Sequence, residues 1–186
     1  IAAEGATSRQ GAKAAQECEA LREAGRKAAR IVGAASIEWL GLPDNRMDSV
    51  DLLDVVHRVE QFLAQRPPDV VYTHHAGDLN IDHVLTQRAV MTALRPLPGA
   101  RFRTVLQFEV PSSTEWGGSP FVPQWFEDVT GFLDAKLAAL DAYASEMRPS
   151  PHPRSREAVS ALARLRGATA GVAAAEAYML ASQINR

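Results

Sequence analysis

The chain has 186 residues, enough for one domain with a sizeable apolar core. Its composition, 46% hydrophobic and 23% charged, is typical of a globular protein and too apolar for a disordered one. A net charge of −2 without a basic block argues against a nucleic-acid-binding surface. No apolar run approaches the roughly 18–20 residues of a membrane span. We expect a single cytoplasmic domain over residues 1–186, with the lone Cys18 as an ordinary helix residue.

The first 110 residues alternate between strand-like and helix-like patterns of apolar residues. The predicted order is the end of a strand at 1–3, a helix at 11–33, a strand at 36–40, a helix at 49–65, a buried strand at 70–74, a helix at 84–95 and a strand at 104–109. Ser49 or Asp48 is the expected cap of the second helix. Strands and helices that alternate at this spacing indicate βαβ units and a parallel sheet.

Helical patterns dominate the rest of the chain. A long loop at 111–123 precedes a predicted helix at 131–147, and the three prolines within 148–154 exclude regular structure there. Two Ala- and Leu-rich segments at 155–166 and 170–182 are predicted as helices, separated by Gly167 and Gly171.

The loop after the strand at 70–74 carries the densest group of side chains that could bind a metal or move a proton. Together with the last residue of the strand, it contains three of the five histidines, two aspartates and one asparagine: His74, His75, Asp78, Asn80, Asp82 and His83. Open α/β sheets place their chemistry at the carboxyl ends of parallel strands. We therefore expect the functional site in this loop.

Neutral imidazole and carboxylate groups are usual zinc ligands, and a catalytic zinc keeps one position open for water. Structural roles are equally open: His74 as a satisfied core histidine, Asp78 and Asn80 as turn residues, and Asp82 as the cap of the helix at 84–95. Elsewhere His57 is predicted on a helix surface, and His152 is open to either role. The sequence contains no HExxH, CxxC, GxSxG or glycine-rich phosphate loop, which disfavours a nucleotide-binding Rossmann protein.

The run Tyr72-Thr-His-His-Ala-Gly-Asp-Leu-Asn-Ile-Asp-His83 resembles the second metal motif of the PIG-L/LmbE-like zinc-dependent N-acetylglucosaminyl deacetylases. Shorter segments resemble that family in the same order along the chain, at residues 4–9, 40–44, 108–116, 151–155, 166–167 and 175–178. The resemblance implies an α/β, Rossmann-like fold with a mostly parallel sheet and flanking helices. It also implies hydrolysis of the N-acetyl group of an amino sugar or glycoconjugate with Zn²⁺ as cofactor.

The resemblance also assigns roles to individual residues. It makes His83 a metal ligand and places Asp82 and Asn80 at the catalytic centre, where Asp82 orients other groups. Asn80 stands where some members have a histidine, so it is given no acid role. Substrate contacts are expected from six side chains: Arg9, Asp44, His75, Asp78, Glu109 and Trp116. Among these, His75 and Asp78 could instead support the metal site, Trp116 could be a packing lid, and Glu109 could simply end a strand.

The sequence departs from the family at its start. The family's His-Pro-Asp-Asp motif, which supplies two further zinc ligands and the general base, does not occur, and the only His-Pro pair is His152-Pro153. The family's first strand and first helix are likewise missing. An alternative is therefore a truncated, non-catalytic sugar-binding member or half of a split enzyme. Because a missing strand would leave sheet edges unpaired, we also expect aggregation or a homo-oligomer.

Overall fold

A computed structural model describes residues 1–5, 12–99 and 101–185. The chain forms two compact units, each built from two separate segments. The first unit comprises Ile1–Asp44 and Phe126–Glu176, and the second comprises Asn45–Trp125 and Ala177–Arg186. The single domain expected from the sequence stays a prediction.

The described part of the chain contains five α-helices and six strands. The helices are α1 (Ala12–Ile31), α2 (Leu52–Gln65), α3 (Ile81–Ala93), α4 (Leu133–Asp141) and α5 (Arg156–Ala170). The strands are β1 (Ala3–Glu4), β2 (Leu42–Pro43), β3 (Val70–His74), β4 (Thr104–Phe108), β5 (Trp125–Asp128) and β6 (Ala175–Gln183). Two short 3-10 turns lie at Met47–Ser49 and Thr114–Trp116. None of the helices described is long and apolar enough to cross a membrane.

The strands form a two-stranded parallel sheet and a four-stranded mixed sheet. β1 pairs in parallel with β2, β3 pairs in parallel with β4, and β4 pairs antiparallel with β6. The larger sheet has the order β3-β4-β6-β5. The α/β class and the parallel pairing of β3 with β4 are confirmed, whereas the antiparallel strand was not predicted.

The core of the second unit is built around β4, which has a neighbouring strand on each side. Val105 and Leu106 are completely buried, and α2 contributes Val55 and Val56 to the buried set. Burying a side chain such as Leu106 is worth roughly 1.5–3 kcal/mol. Helix α2 also packs against α3, so the sheet and α3 are held in one unit. This packing fixes the position of the first residues of α3.

In the first unit, α1 packs against α4. A Cβ atom on Gly25 would lie 3.0 Å from the hydroxyl oxygen of Tyr143, so this glycine allows a close approach of α1 to Tyr143, which follows α4. Cys18 lies partly exposed in α1 and is a free thiol, as the sequence predicted.

The predicted helix at 170–182 is wrong, because this segment is strand β6. Gly171 ends α5 in the left-handed region at φ +77°, a conformation that glycine adopts without steric cost. Strand β6 pairs with β4 from Tyr178 to Gln183, and Tyr178 is buried. This tertiary burial outweighs the high helix propensity of alanine and leucine. Strand β5 was also missed, so helices do not dominate the second half of the chain.

Other predicted boundaries are wrong by a few residues. Residues 36–40 have no strand structure, and the pairing with β1 occurs at β2 instead. Helix α2 begins at Leu52 after Asp51, neither Ser49 nor Asp48 caps it, and the extended backbone of Val50 separates it from the 3-10 turn. Helix α3 begins at residue 81, and α4 ends at residue 141. His57 is exposed on α2, as predicted.

Strand β3 is not the buried strand that was predicted. Val70 is 44% exposed and Tyr72 is 47% exposed, and the two side chains lie on the same face of the sheet, because alternate residues of a strand point to the same side. Only Thr73 of this strand is buried. Self-association through unpaired sheet edges stays a prediction.

Candidate functional site

The polar loop, residues 74–83, runs from the last residue of β3 into the first turn of α3. Asn80 is the N-cap of α3, because its side-chain oxygen accepts hydrogen bonds from the backbone amides of Asp82 at 2.8 Å and His83 at 3.4 Å. An asparagine at this position satisfies amides that would otherwise lack a partner. The cap explains why the helix starts at Ile81, before the predicted residue 84. The interpretation of Asp82 as the cap is therefore wrong.

Asp82 instead holds a neighbouring loop. Its carboxylate accepts hydrogen bonds from the backbone amides of Asn45 at 2.5 Å and Met47 at 3.0 Å. Asn45 has a left-handed backbone, with φ +51°, and its side-chain oxygen accepts a hydrogen bond from Asn80 Nδ2 at 3.1 Å. The start of α3 and residues 45–47 thus form one hydrogen-bonded assembly.

The side chain of Asp78 is completely buried. Its carboxylate accepts hydrogen bonds from the hydroxyl of Ser113, from Thr114 Oγ1 at 2.6 Å and from the backbone amide of Asn80 at 2.9 Å. His83 Nδ1 lies 2.9 Å from the same carboxylate. Burial alone raises the pKa of Asp78, but these hydrogen bonds together lower it, so the group is a carboxylate at neutral pH.

His83 lies in the first turn of α3, with its side chain 22% exposed. The described hydrogen bonds of its ring involve Nδ1, at 2.9 Å from Asp78 and 3.5 Å from Ser113 Oγ. The ring also stacks on His74, with centroids 4.2 Å apart and planes 16° from parallel. The ring is therefore contacted on one edge and on one face.

The ring of His74, which stacks on His83, is uncharged at neutral pH. Burial first, and then the neighbouring His83, lowers the pKa of His74 to about 3, although Asp78 opposes the shift. Its ring also contacts Phe108 at 4.7 Å between centroids. Its Nδ1 is buried without a hydrogen-bond partner, so the expectation of a satisfied core histidine is only half correct.

His75 is only 3% exposed and joins the polar loop to the loop after β4. Its Nε2 lies 3.3 Å from the backbone oxygen of Ser119 and 3.4 Å from the Ser119 hydroxyl. The ring meets Phe121 edge-on, with centroids 5.5 Å apart. The amide of Gly118 also donates to the carbonyl of Gly77 at 3.1 Å. Hydrogen bonds and a ring contact thus join the polar loop to the loop after β4.

This contact between loops gives a stability prediction. A Cβ atom on Gly117 would lie 1.9 Å from the carbonyl oxygen of Gly77, a clash that a backbone atom cannot relieve locally. We expect Gly117→Ala to lower the free energy of unfolding by about 2–3 kcal/mol in urea titrations. Gly118→Ala is the matched control, because a Cβ atom added there would meet nothing within 4 Å, and it should change stability by less than about 1 kcal/mol. Equal effects of the two variants would show that the loops do not pack in this way.

The remaining predicted site residues have separate positions. Trp116 is 54% exposed in the 3-10 turn after β4, and Glu109 follows β4 directly, partly exposed. Asp44 follows β2 and belongs to the first unit. Arg9 lies outside the described residues. Those that the structure brings together directly are the polar-loop residues: His75, Asp78, Asn80, Asp82 and His83.

Ser113 and Thr114 are functional candidates that the sequence analysis missed. They follow β4, the parallel neighbour of β3, and the register pairs His74 with Phe108 at the carboxyl ends of the two strands. The loops that leave these ends therefore lie side by side. Two hydroxyl residues in the loop after a neighbouring parallel strand were the signal that could have identified them.

The imidazole and carboxylate groups of the polar loop are of the kinds that bind zinc. His83 fits one ligand position, because histidine ligands of zinc usually bond a carboxylate through their second ring nitrogen. Within residues 1–5, 12–99 and 101–185, no group of three or more His, Cys, Asp or Glu side chains could hold a metal. These residues thus supply one prepared ligand and not a complete set.

Comparisons with known proteins bear on the family and the fold of the chain. Residues 1–94 match the family model described as PIG-L, GlcNAc-PI de-N-acetylase. The conserved protein TT1542 from Thermus thermophilus has a similar structure, with a TM-score of 0.72 and 26% identity over 90% of this chain and 76% of that one. An inhibitor complex of N,N'-diacetylchitobiose deacetylase from Pyrococcus horikoshii gives a TM-score of 0.74 with 17% identity, over 96% of this chain and 70% of that one. No curated protein sequence matched.

Proposed function

The chain belongs to the PIG-L family of GlcNAc-PI de-N-acetylases, and we propose that it is a zinc-dependent hydrolase that removes the N-acetyl group from an amino sugar or glycoconjugate. Family membership supports a deacetylase-type hydrolase. The zinc dependence and the sugar substrate are the finer parts of the proposal. The observation that carries the zinc dependence is the contact between buried Asp78 and His83, a pairing typical of metal-binding histidines.

In this proposal the polar loop forms one side of the catalytic centre. Zinc, when bound, would supply an activated water molecule and polarise the acyl carbonyl. His83 would bind the metal through Nε2, on the opposite side of the ring from Asp78. Asp82 and Asn80 would keep the start of α3 and residues 45–47 in place, through the amide and side-chain bonds described above. Neither residue needs to move a proton in these roles.

The proposed substrate is a small N-acetylated sugar or its conjugate. The P. horikoshii structure named above is that of a deacetylase acting on an acetylated sugar, and its fold is shared by this chain. Trp116, half exposed beside the loop, offers an aromatic face on which a sugar ring could stack. Glu109 would accept a hydrogen bond from a substrate hydroxyl. Arg9, Asp44 and His75 stay predicted substrate contacts.

Acetate release distinguishes this function from its alternative. The purified protein should be stripped of metal, reconstituted with one equivalent of Zn²⁺ and assayed with N-acetylglucosamine conjugates. The proposal expects free acetate and a free amine in equal amounts. Conjugates that carry glucosamine without the acetyl group are the matched negative control.

A second candidate is a sugar-binding protein without catalysis. One observation favours it: in the part of the chain that the structure describes, no group of three or more His, Cys, Asp or Glu side chains could hold a metal. This candidate expects calorimetric binding of an N-acetylglucosamine conjugate without acetate release, even with zinc in excess. Acetate release at a rate that depends on zinc would exclude it.

A further inference from the structure

We infer that Asp78 is a positioning residue, which fixes the tautomer and the direction of the His83 ring and is itself held by Ser113 and Thr114. This role differs from the substrate contact expected from the sequence. It rests on the proposed function in one respect, namely that the fixed nitrogen of His83 faces a metal. The fixing of the ring itself can be tested without metal or substrate.

Four hydrogen-bonding groups surround the carboxylate of Asp78. The Oδ1 atom of Asp78 accepts from the hydroxyl of Ser113, from the Asn80 amide at 2.9 Å and from His83 Nδ1 at 2.9 Å. The Oδ2 atom accepts from Thr114 Oγ1 at 2.6 Å. Because the side chain is also fully buried, no further donor from a substrate has access to it. The hydrogen bonds of Asp78 are therefore made to other residues of the protein and not to a substrate.

The contact with Asp78 determines which ring nitrogen of His83 carries the hydrogen. An ionised carboxylate only accepts hydrogen bonds, so the 2.9 Å contact requires the hydrogen to be on Nδ1. The other tautomer would place two acceptors against each other in a buried position, which costs free energy. With the hydrogen on Nδ1, the lone pair of a neutral ring is on Nε2, in the form that binds a metal.

The residues that donate to the Asp78 carboxylate are themselves hydrogen-bonded to their own loop. Thr114 Oγ1 accepts from the Val110 amide at 2.7 Å, so its hydrogen is left to point at Asp78. The amides of Ser112 and Ser113 both donate to the Glu115 carboxylate, at 2.7 Å and 3.0 Å. Ser112 has a left-handed backbone at φ +69°, an uncommon conformation for serine, and these bonds stabilise that turn.

Together these contacts restrict the His83 ring on two sides. Asp78 holds the Nδ1 edge, while the stacked ring of His74 covers one face at 4.2 Å. A flip of the ring by half a turn about its Cβ–Cγ bond would break the Asp78 contact, and a smaller rotation would also tilt the ring away from His74. The hydroxyl residues after β4 thus act on the metal-facing nitrogen through Asp78.

The tautomer is measured directly by ¹⁵N NMR of the histidines in the metal-free protein, at a pH where the ring of His83 is neutral. We expect wild-type His83 to carry its hydrogen on Nδ1. Asp78→Ala should convert His83 to a mixture dominated by the Nε2–H form and weaken zinc binding about 10- to 100-fold, the range for residues behind a metal ligand. Asp78→Asn keeps a neutral acceptor, so it should retain much of the Nδ1–H form with an intermediate zinc affinity.

Asp54→Ala, which removes an exposed carboxylate from α2, is the matched control and should change neither quantity. If Asp78→Ala does not fold, the wild-type tautomer and Asp78→Asn still decide the question. An Nε2–H tautomer in the wild type, or wild-type tautomer and zinc affinity in both Asp78 variants, would overturn the inference. Failure of the wild type to bind zinc, with the Nδ1–H tautomer present, would instead refute the proposed function alone.

Discussion

His83→Ala should abolish both zinc binding and acetate release. The variant removes the only described side chain that combines a metal-binding atom, partial exposure and a supporting carboxylate. Changes to residues behind a zinc ligand typically cost about 10- to 100-fold, so loss of the ligand itself should lower kcat/KM by more than about 100-fold. Zinc should fall from about one per chain to near zero by plasma mass spectrometry.

His57→Ala is the control for this variant. His57 is exposed on α2 in the same unit, and its loss removes an imidazole without touching the polar loop. Zinc content and kcat/KM should equal those of the wild type. Retention of zinc and activity by His83→Ala would refute the role of this residue as a ligand.

The second large effect is loss of stability in acid through His74. Its pKa is about 3 in the folded protein and about 6.5 in the unfolded chain, so the unfolded state binds the proton first as pH falls. The stabilisation by neutral His74 is complete above pH 6.5 and decreases between pH 6.5 and 3. From pH 7.5 to pH 4 this one group should cost about 3 kcal/mol of unfolding free energy.

Comparison with His74→Phe isolates this contribution. Phenylalanine retains an aromatic ring against His83 and Phe108 but cannot be protonated, so the variant should lose about 3 kcal/mol less than the wild type between the two pH values. Urea unfolding at each pH measures the difference. The exposed His57→Phe should follow the wild type. Parallel loss in wild type and His74→Phe would mean that His74 takes up its proton in the folded state.

The parts of the fold that local sequence determines were predictable. Helices α1 and α2 have clear helical periodicity, and β3 and β4 have short apolar runs between loop signals. Strand β6 was not predictable from its alanine-rich sequence, because its conformation depends on pairing with β4, far away in the chain. Non-local pairing of this kind overrides local propensity.

The candidate site, like the fold, was predictable only in the features that local sequence determines. The position of His83 and Asp78 in one loop followed from the sequence, since the loop directly follows a strand. That Asp78 is buried and fully bonded did not follow, because its partners Ser113 and Thr114 come from the loop after another strand. The parallel register of β3 and β4 brings the two loops together, and that register is a property of the sheet.

Dependence of acetate release on zinc tests the proposed function most directly. Acetate formation from an N-acetylglucosamine conjugate should be measured before chelation, after removal of metal, and after return of one equivalent of Zn²⁺. The proposal predicts release that stops on chelation and returns with zinc. Acetate release that continues at the same rate in metal-free protein would contradict it, and so would the absence of release from the zinc-loaded protein.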